Sequence, residues 1–124
     1  MKTNDKKKRL RNKADKIYQE IGRKMYKECM ICGGEYSCLH HYFPKSTSSA
    51  LRYNIKNGIP LCVKCHCRIH SSDDPTLNLL IVEKLGKTWL RGLQSQKQAI
   101  TKNSIEYYET IIRNLEKLMP YETK

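Results

Sequence analysis

Between Asp5 and Glu28 apolar residues recur at spacings of three and four, at Leu10, Ala14, Ile17, Tyr18, Ile21 and Met25, which predicts a helix with one buried face. The stripe Ile105, Tyr108, Ile112, Leu115 and Met119 repeats that alternation and predicts a last helix, with Asn103 and Glu106 spaced as a capping box at its start. Packing on the domain is the expected use of this stripe; a small coiled coil, and hence a homodimer, is the other. Between the two, Leu77, Leu80, Ile81 and Leu85 predict a helix opened by Asp74 as N-cap with Pro75 at its first position, and stopped at Gly86. Another helix begins near Lys87 and buries Trp89, Leu90 and Leu93.

The pattern changes in the middle of the chain. Tyr36 to Phe43 is aromatic-rich and fits a short strand ending at Pro44, and Lys45 to Asn54 is polar and fits a surface loop. Asn57-Gly58 signals a turn, and Ile59-Pro60-Leu61 a return strand whose proline implies an edge. A short helix from Cys62 to about Ser71 places His66 and His70 one turn apart on one face. The class is therefore α+β: a hairpin and helix able to bring His40, His41, Asn57, His66 and His70 together, flanked by an N-terminal helix and about three C-terminal helices. At 124 residues this is the size of one domain, divided here into 1–28, 29–72 and 73–124, and no repeat, Gly-rich phosphate loop or linker marks a second one.

Residue chemistry sharpens the picture at that centre. All six cysteines and all four histidines lie between Cys29 and His70. Two CxxC pairs, Cys29/Cys32 and Cys62/Cys65, separated by a hairpin, point to a four-thiolate structural zinc site. Cys38 and Cys67 fall outside the pairs and fit buried or half-buried thiols acting as small hydrophobes. The N-terminus is charged throughout and no apolar h-region follows, so no signal peptide is expected, and cysteines on metal in a reducing cytoplasm are expected rather than disulfides. No stretch is apolar and long enough to span a bilayer, so no membrane role is expected. A net charge of +12, with Lys and Arg crowding the faces of the first helix, argues for a polyanionic partner such as nucleic acid.

With these residues in view, 29–70 resembles an HNH endonuclease of the ββα-metal, or His-Me finger, class in its zinc-stabilised form with two CxxC knuckles. The run NGIPLCVKCHCRIH is close to the family's second half, and HHYFPKSTSSALRYN is similar to HNH proteins of phage genomes. The resemblance implies a ββα-metal core and a DNA endonuclease, phage-encoded or acting in a bacterial host cytoplasm. It implies His41 as general base, Asn57 as the central Asn in preference to Asn54, and His40, His66 and His70 around one catalytic divalent ion. His40 stands where the family more often has Asp, so Mn²⁺, Ni²⁺, Co²⁺ or Zn²⁺ is expected to suit the site better than Mg²⁺. Lys45, Arg52 and Arg68 are candidate phosphate contacts on double-stranded or branched DNA. The competing expectation is a zinc-finger-like DNA-binding module without chemistry.

Overall fold

The computed structural model describes residues 2–71, 75–99 and 101–119. In chain order these form α1 (Thr3–Met25), β1 (Cys38–His41), a 3₁₀ turn (Ile55–Asn57), β2 (Gly58–Leu61), α2 (Val63–Ser71), α3 (Thr76–Leu85), α4 (Lys87–Lys97) and α5 (Ile105–Leu118). The architecture is mixed α+β and mostly helical, with one two-stranded antiparallel sheet and a cluster of four cysteines. No helix among the described residues is long and apolar enough to cross a membrane.

The three-four stripe of α1 buries Ala14, Ile17, Tyr18 and Ile21 against Tyr108, Ile112 and Leu115 of α5, with Leu39 and Tyr53 completing the cluster. The stripe of α5 is thus covered within the chain, as its packing reading expects. Met25, expected on the buried face, is exposed, because α1 ends there rather than at Glu28. Tyr26 leaves the helix in extended geometry, and Glu28 then pairs with Glu35 across the turn that carries Cys29 and Cys32. Gly22 is required where α1 crosses β1: a Cβ there would overlap Leu39 Cγ and the Tyr36 hydroxyl.

The strands pair Leu39 with Pro60 and His40 with Ile59. Both backbone groups of Leu39 turn away from β2, its N–H to Gln19 Oε1 at 2.9 Å and its carbonyl receiving Gln19 Nε2 at 3.0 Å. Pro60 therefore sits in a position of the ladder that needs no N–H, and its carbonyl on the outer side accepts from Met30 N–H at 2.9 Å. A second apolar cluster, Ile59, Leu61, Cys29, Cys62, Cys65 and Ile81, covers β2 toward α2 and α3.

Several local expectations shift. The first strand is shorter than Tyr36–Phe43, and the Asn57-Gly58 turn is a 3₁₀ turn that leads directly into β2, with Gly58 at φ −90°. The polar stretch 45–54 is not simply surface: Leu51, Tyr53 and Ser48 are buried. Pro75 precedes the first helical residue of α3 instead of occupying it, and the Asp74 cap lies outside the described residues. Of Trp89, Leu90 and Leu93 only Leu93 is fully buried; Trp89 stays half-buried and donates its indole N–H to the Lys56 carbonyl at 2.8 Å. The cap of α5 is Ser104, whose hydroxyl accepts from Tyr107 N–H at 3.1 Å, one residue later than the Asn103 capping box.

Candidate metal centres

The knuckle follows from local backbone chemistry. Gly33 adopts φ +75°, which lets the chain fold back so that Gly33 N–H reaches the Cys29 carbonyl at 3.0 Å and Cys29 N–H the Gly34 carbonyl at 2.7 Å. From the other side, Cys62 ends the hairpin and Cys65 lies in the first turn of α2. The four sulfurs lie within 4.8 Å of one another, with Cys32 and Cys62 at 3.5 Å. A tetrahedral zinc with ordinary Zn–S bonds sets sulfurs about 3.8 Å apart, so this donor set fits zinc. Gly34 N–H and Cys65 N–H point at Cys32 and Cys62 sulfurs, each at 3.3 Å. Burial pushes the Cys29 thiol up, but backbone N–H groups of Cys32, Cys62 and Ile31 outweigh it and bring it down to about 6. Such N–H groups favour thiolate, the form that binds metal.

Strand alternation then divides β1 between two faces. Cys38 and His40 face α2; Leu39 and His41 face α1. The nearest donor nitrogens of His40, His66 and His70 lie within 4.8 Å of one another, a second group able to hold an ion. His66 and His70, one turn apart on α2, bring their Nε2 atoms to 2.9 Å. His40 closes the triangle with ring centroids 5.3 and 5.2 Å from theirs. The other nitrogen of His66, Nδ1, lies 3.3 Å from Sγ of the half-buried Cys38, which puts Cys38 behind the triad as a support for one ring, whereas Cys67, expected to be buried or half-buried, is exposed on α2. Burial, then the neighbouring His66 and His70, push the His40 imidazole down to about 4, so it is neutral and ligand-ready at physiological pH. His66 is shifted in the same direction by burial and His70.

His41 is held differently. Its ring stacks on Tyr18 with centroids 5.0 Å apart and 19° between planes, and its Nε2 lies 2.9 Å from the Arg52 carbonyl. A carbonyl only accepts, so Nε2 carries the hydrogen and the neutral ring keeps its lone pair on Nδ1. Burial lowers its pKa, opposed by the hydrogen bond to Arg52 and reinforced by the Lys45 and Arg52 charges. His40, His41, His66, His70, Lys45 and Gln19 line one cavity of about 280 Å³. A larger opening of about 460 Å³ between α1 and α5 contains none of the histidines or cysteines.

Asn57 is fully buried and does not reach the His41 ring. Its Oδ1 accepts from Phe43 N–H at 2.9 Å, and its Nδ2 donates to the Phe43 and Leu51 carbonyls at 3.1 and 3.2 Å, so it braces the 43–51 loop against β2. Asn54 instead caps the 3₁₀ turn and meets Gln96. Among the three basic candidates, Lys45 is exposed at the cavity and Arg68 is exposed on α2. Arg52 is committed to Asp15 through a two-point ion pair. Residue type alone does not mark Asp15, Tyr18 and Gln19 as part of the site; the one sequence signal is their 15, 18, 19 spacing, which puts them on one face of α1.

No protein-family model matches this chain, and no curated protein or solved structure matches it either.

Proposed function

We propose that this protein is a metal-dependent DNA endonuclease that hydrolyses phosphodiester bonds in the HNH manner, with zinc on Cys29, Cys32, Cys62 and Cys65 as its structural staple. The observation that carries the reading is one cavity holding a three-imidazole cluster and, beside it, a fourth imidazole whose lone pair is not committed to that cluster. A purely structural metal site has no use for the fourth. A divalent ion on His40, His66 and His70 would neutralise charge on the scissile phosphate. His41 Nδ1 accepts a proton from the attacking water, Asn57 keeps the loop beside it in place, and Lys45 at the cavity wall attracts the phosphate.

Nicking of supercoiled plasmid with added divalent ions tests this. Nickel, cobalt or manganese should support cleavage at lower concentration than magnesium, because imidazole nitrogen is a poor ligand for magnesium. A magnesium optimum without activity in the other ions would show that the imidazoles are not the ligand set. No cleavage with any ion, but retained DNA binding, would leave the zinc-bearing binding module.

A further inference from the structure

Three residues on one face of α1 reach the segments that hold His41. Asp15 grips Arg52 with Nε–Oδ1 at 3.0 Å and Nη2–Oδ2 at 2.6 Å, and the carbonyl of Arg52 takes the His41 ring N–H. Tyr18 lies flat against the His41 ring and donates its hydroxyl to the Asn54 carbonyl at 2.9 Å, two residues beyond Arg52. Gln19 pairs both backbone groups of Leu39, two residues before His41 on the same strand face. The close crossing allowed by Gly22 brings α1 near enough for all three.

We propose that α1 is a positioning element for the cavity, in which Asp15, acting through the two-point grip on Arg52, fixes the carbonyl that holds His41 Nε2–H. This rests on reading His41 as the proton acceptor. The side chains of Arg52 and Asp15 are 24% and 31% exposed. The two-point, planar geometry of the pair fixes the direction of the Arg52 side chain and with it the backbone of residue 52. A lysine at 52 would keep the charge but not the fork.

The test uses the full, zinc-loaded chain. In ¹⁵N-labelled protein the His41 Nε2 proton, held by a carbonyl, should give a slowly exchanging ring N–H resonance. Asp15→Asn and Arg52→Lys should each broaden it into exchange with water. Both should lower kcat on the order of ten- to hundredfold, with KM and affinity of the histidine cluster for cobalt unchanged. Leu115→Ala, which weakens the α1–α5 core without touching the grip, should destabilise the fold yet keep the resonance. Persistence of the resonance in both grip variants, or its loss in Leu115→Ala, would overturn the proposal. If wild-type protein cleaves no DNA, the nuclease reading fails, while the ring N–H comparison still decides whether Asp15 positions His41. Should Asp15→Asn fail to fold, Arg52→Lys decides alone, and a resonance that persists there overturns the proposal.

Discussion

At the scale of single residues, two adjacent histidines meet different surroundings because neighbouring positions of a strand face opposite ways. His41→Ala should leave fold, zinc and cobalt affinity nearly intact, since its ring is outside the cluster, and should lower nicking by a factor on the order of 10²–10⁴. His41→Ala losing the second metal while His40→Ala retains it would exchange their roles. His40 has a stability signature as well. Its imidazole titrates near 6.5 when unfolded and near 4 in the fold, so between those values the unfolded chain binds the extra proton. Stability therefore rises with pH across that window and falls as pH drops through it. With the histidine cluster empty, denaturant melts at pH 7 and pH 5 should differ by about 2 kcal/mol more in wild type than in His40→Asn. Equal pH dependence in the two would show that His40 is not held neutral by burial.

At the scale of elements, the knuckle joins a hairpin of four-residue strands, too short to hold itself without a staple. Cys62→Ser should cost several kcal/mol and strip hydrogen-exchange protection from β2 and α2 before α1 and α5, whose shared cluster contains no zinc ligand. Simultaneous loss in all four elements would show a single cooperative unit. The paired CxxC motifs and the His66/His70 spacing are legible in sequence because metal ligation and helix pitch impose short, fixed separations. So are the stripes of α1 and α5, long enough for periodicity to dominate. The grip of α1 on residue 52 is not legible: Asp15 and Arg52 are 37 residues apart, and an Asp on a charged helix face looks solvated until the fold supplies its partner. The burial of Tyr53 is hidden for a related reason, being set by α1 and α5 rather than by its Ser- and Thr-rich neighbours. At Asn103 and Ser104, two adjacent capping residues leave the choice to backbone geometry.

At the scale of the whole molecule, half of the net charge of +12 lies on α1, which has nine Lys and Arg against three acids and whose Gln19 lines the histidine cavity. DNA affinity should fall linearly with salt on a log–log plot, with a slope of about −4 or steeper, whatever ion fills the histidine cluster. A flat salt response would remove nucleic acid as the partner. One further consequence lies in the pairing of the first helix with the last. α1 finds much of its apolar cover at Tyr108, Ile112 and Leu115, about ninety residues downstream. A chain cut after residue 100 would therefore keep every cysteine and histidine, and the contacts of α1 with β1, yet lose that cover. Such a shortened chain should still take up zinc, with its first helix less protected against hydrogen exchange than in the full chain.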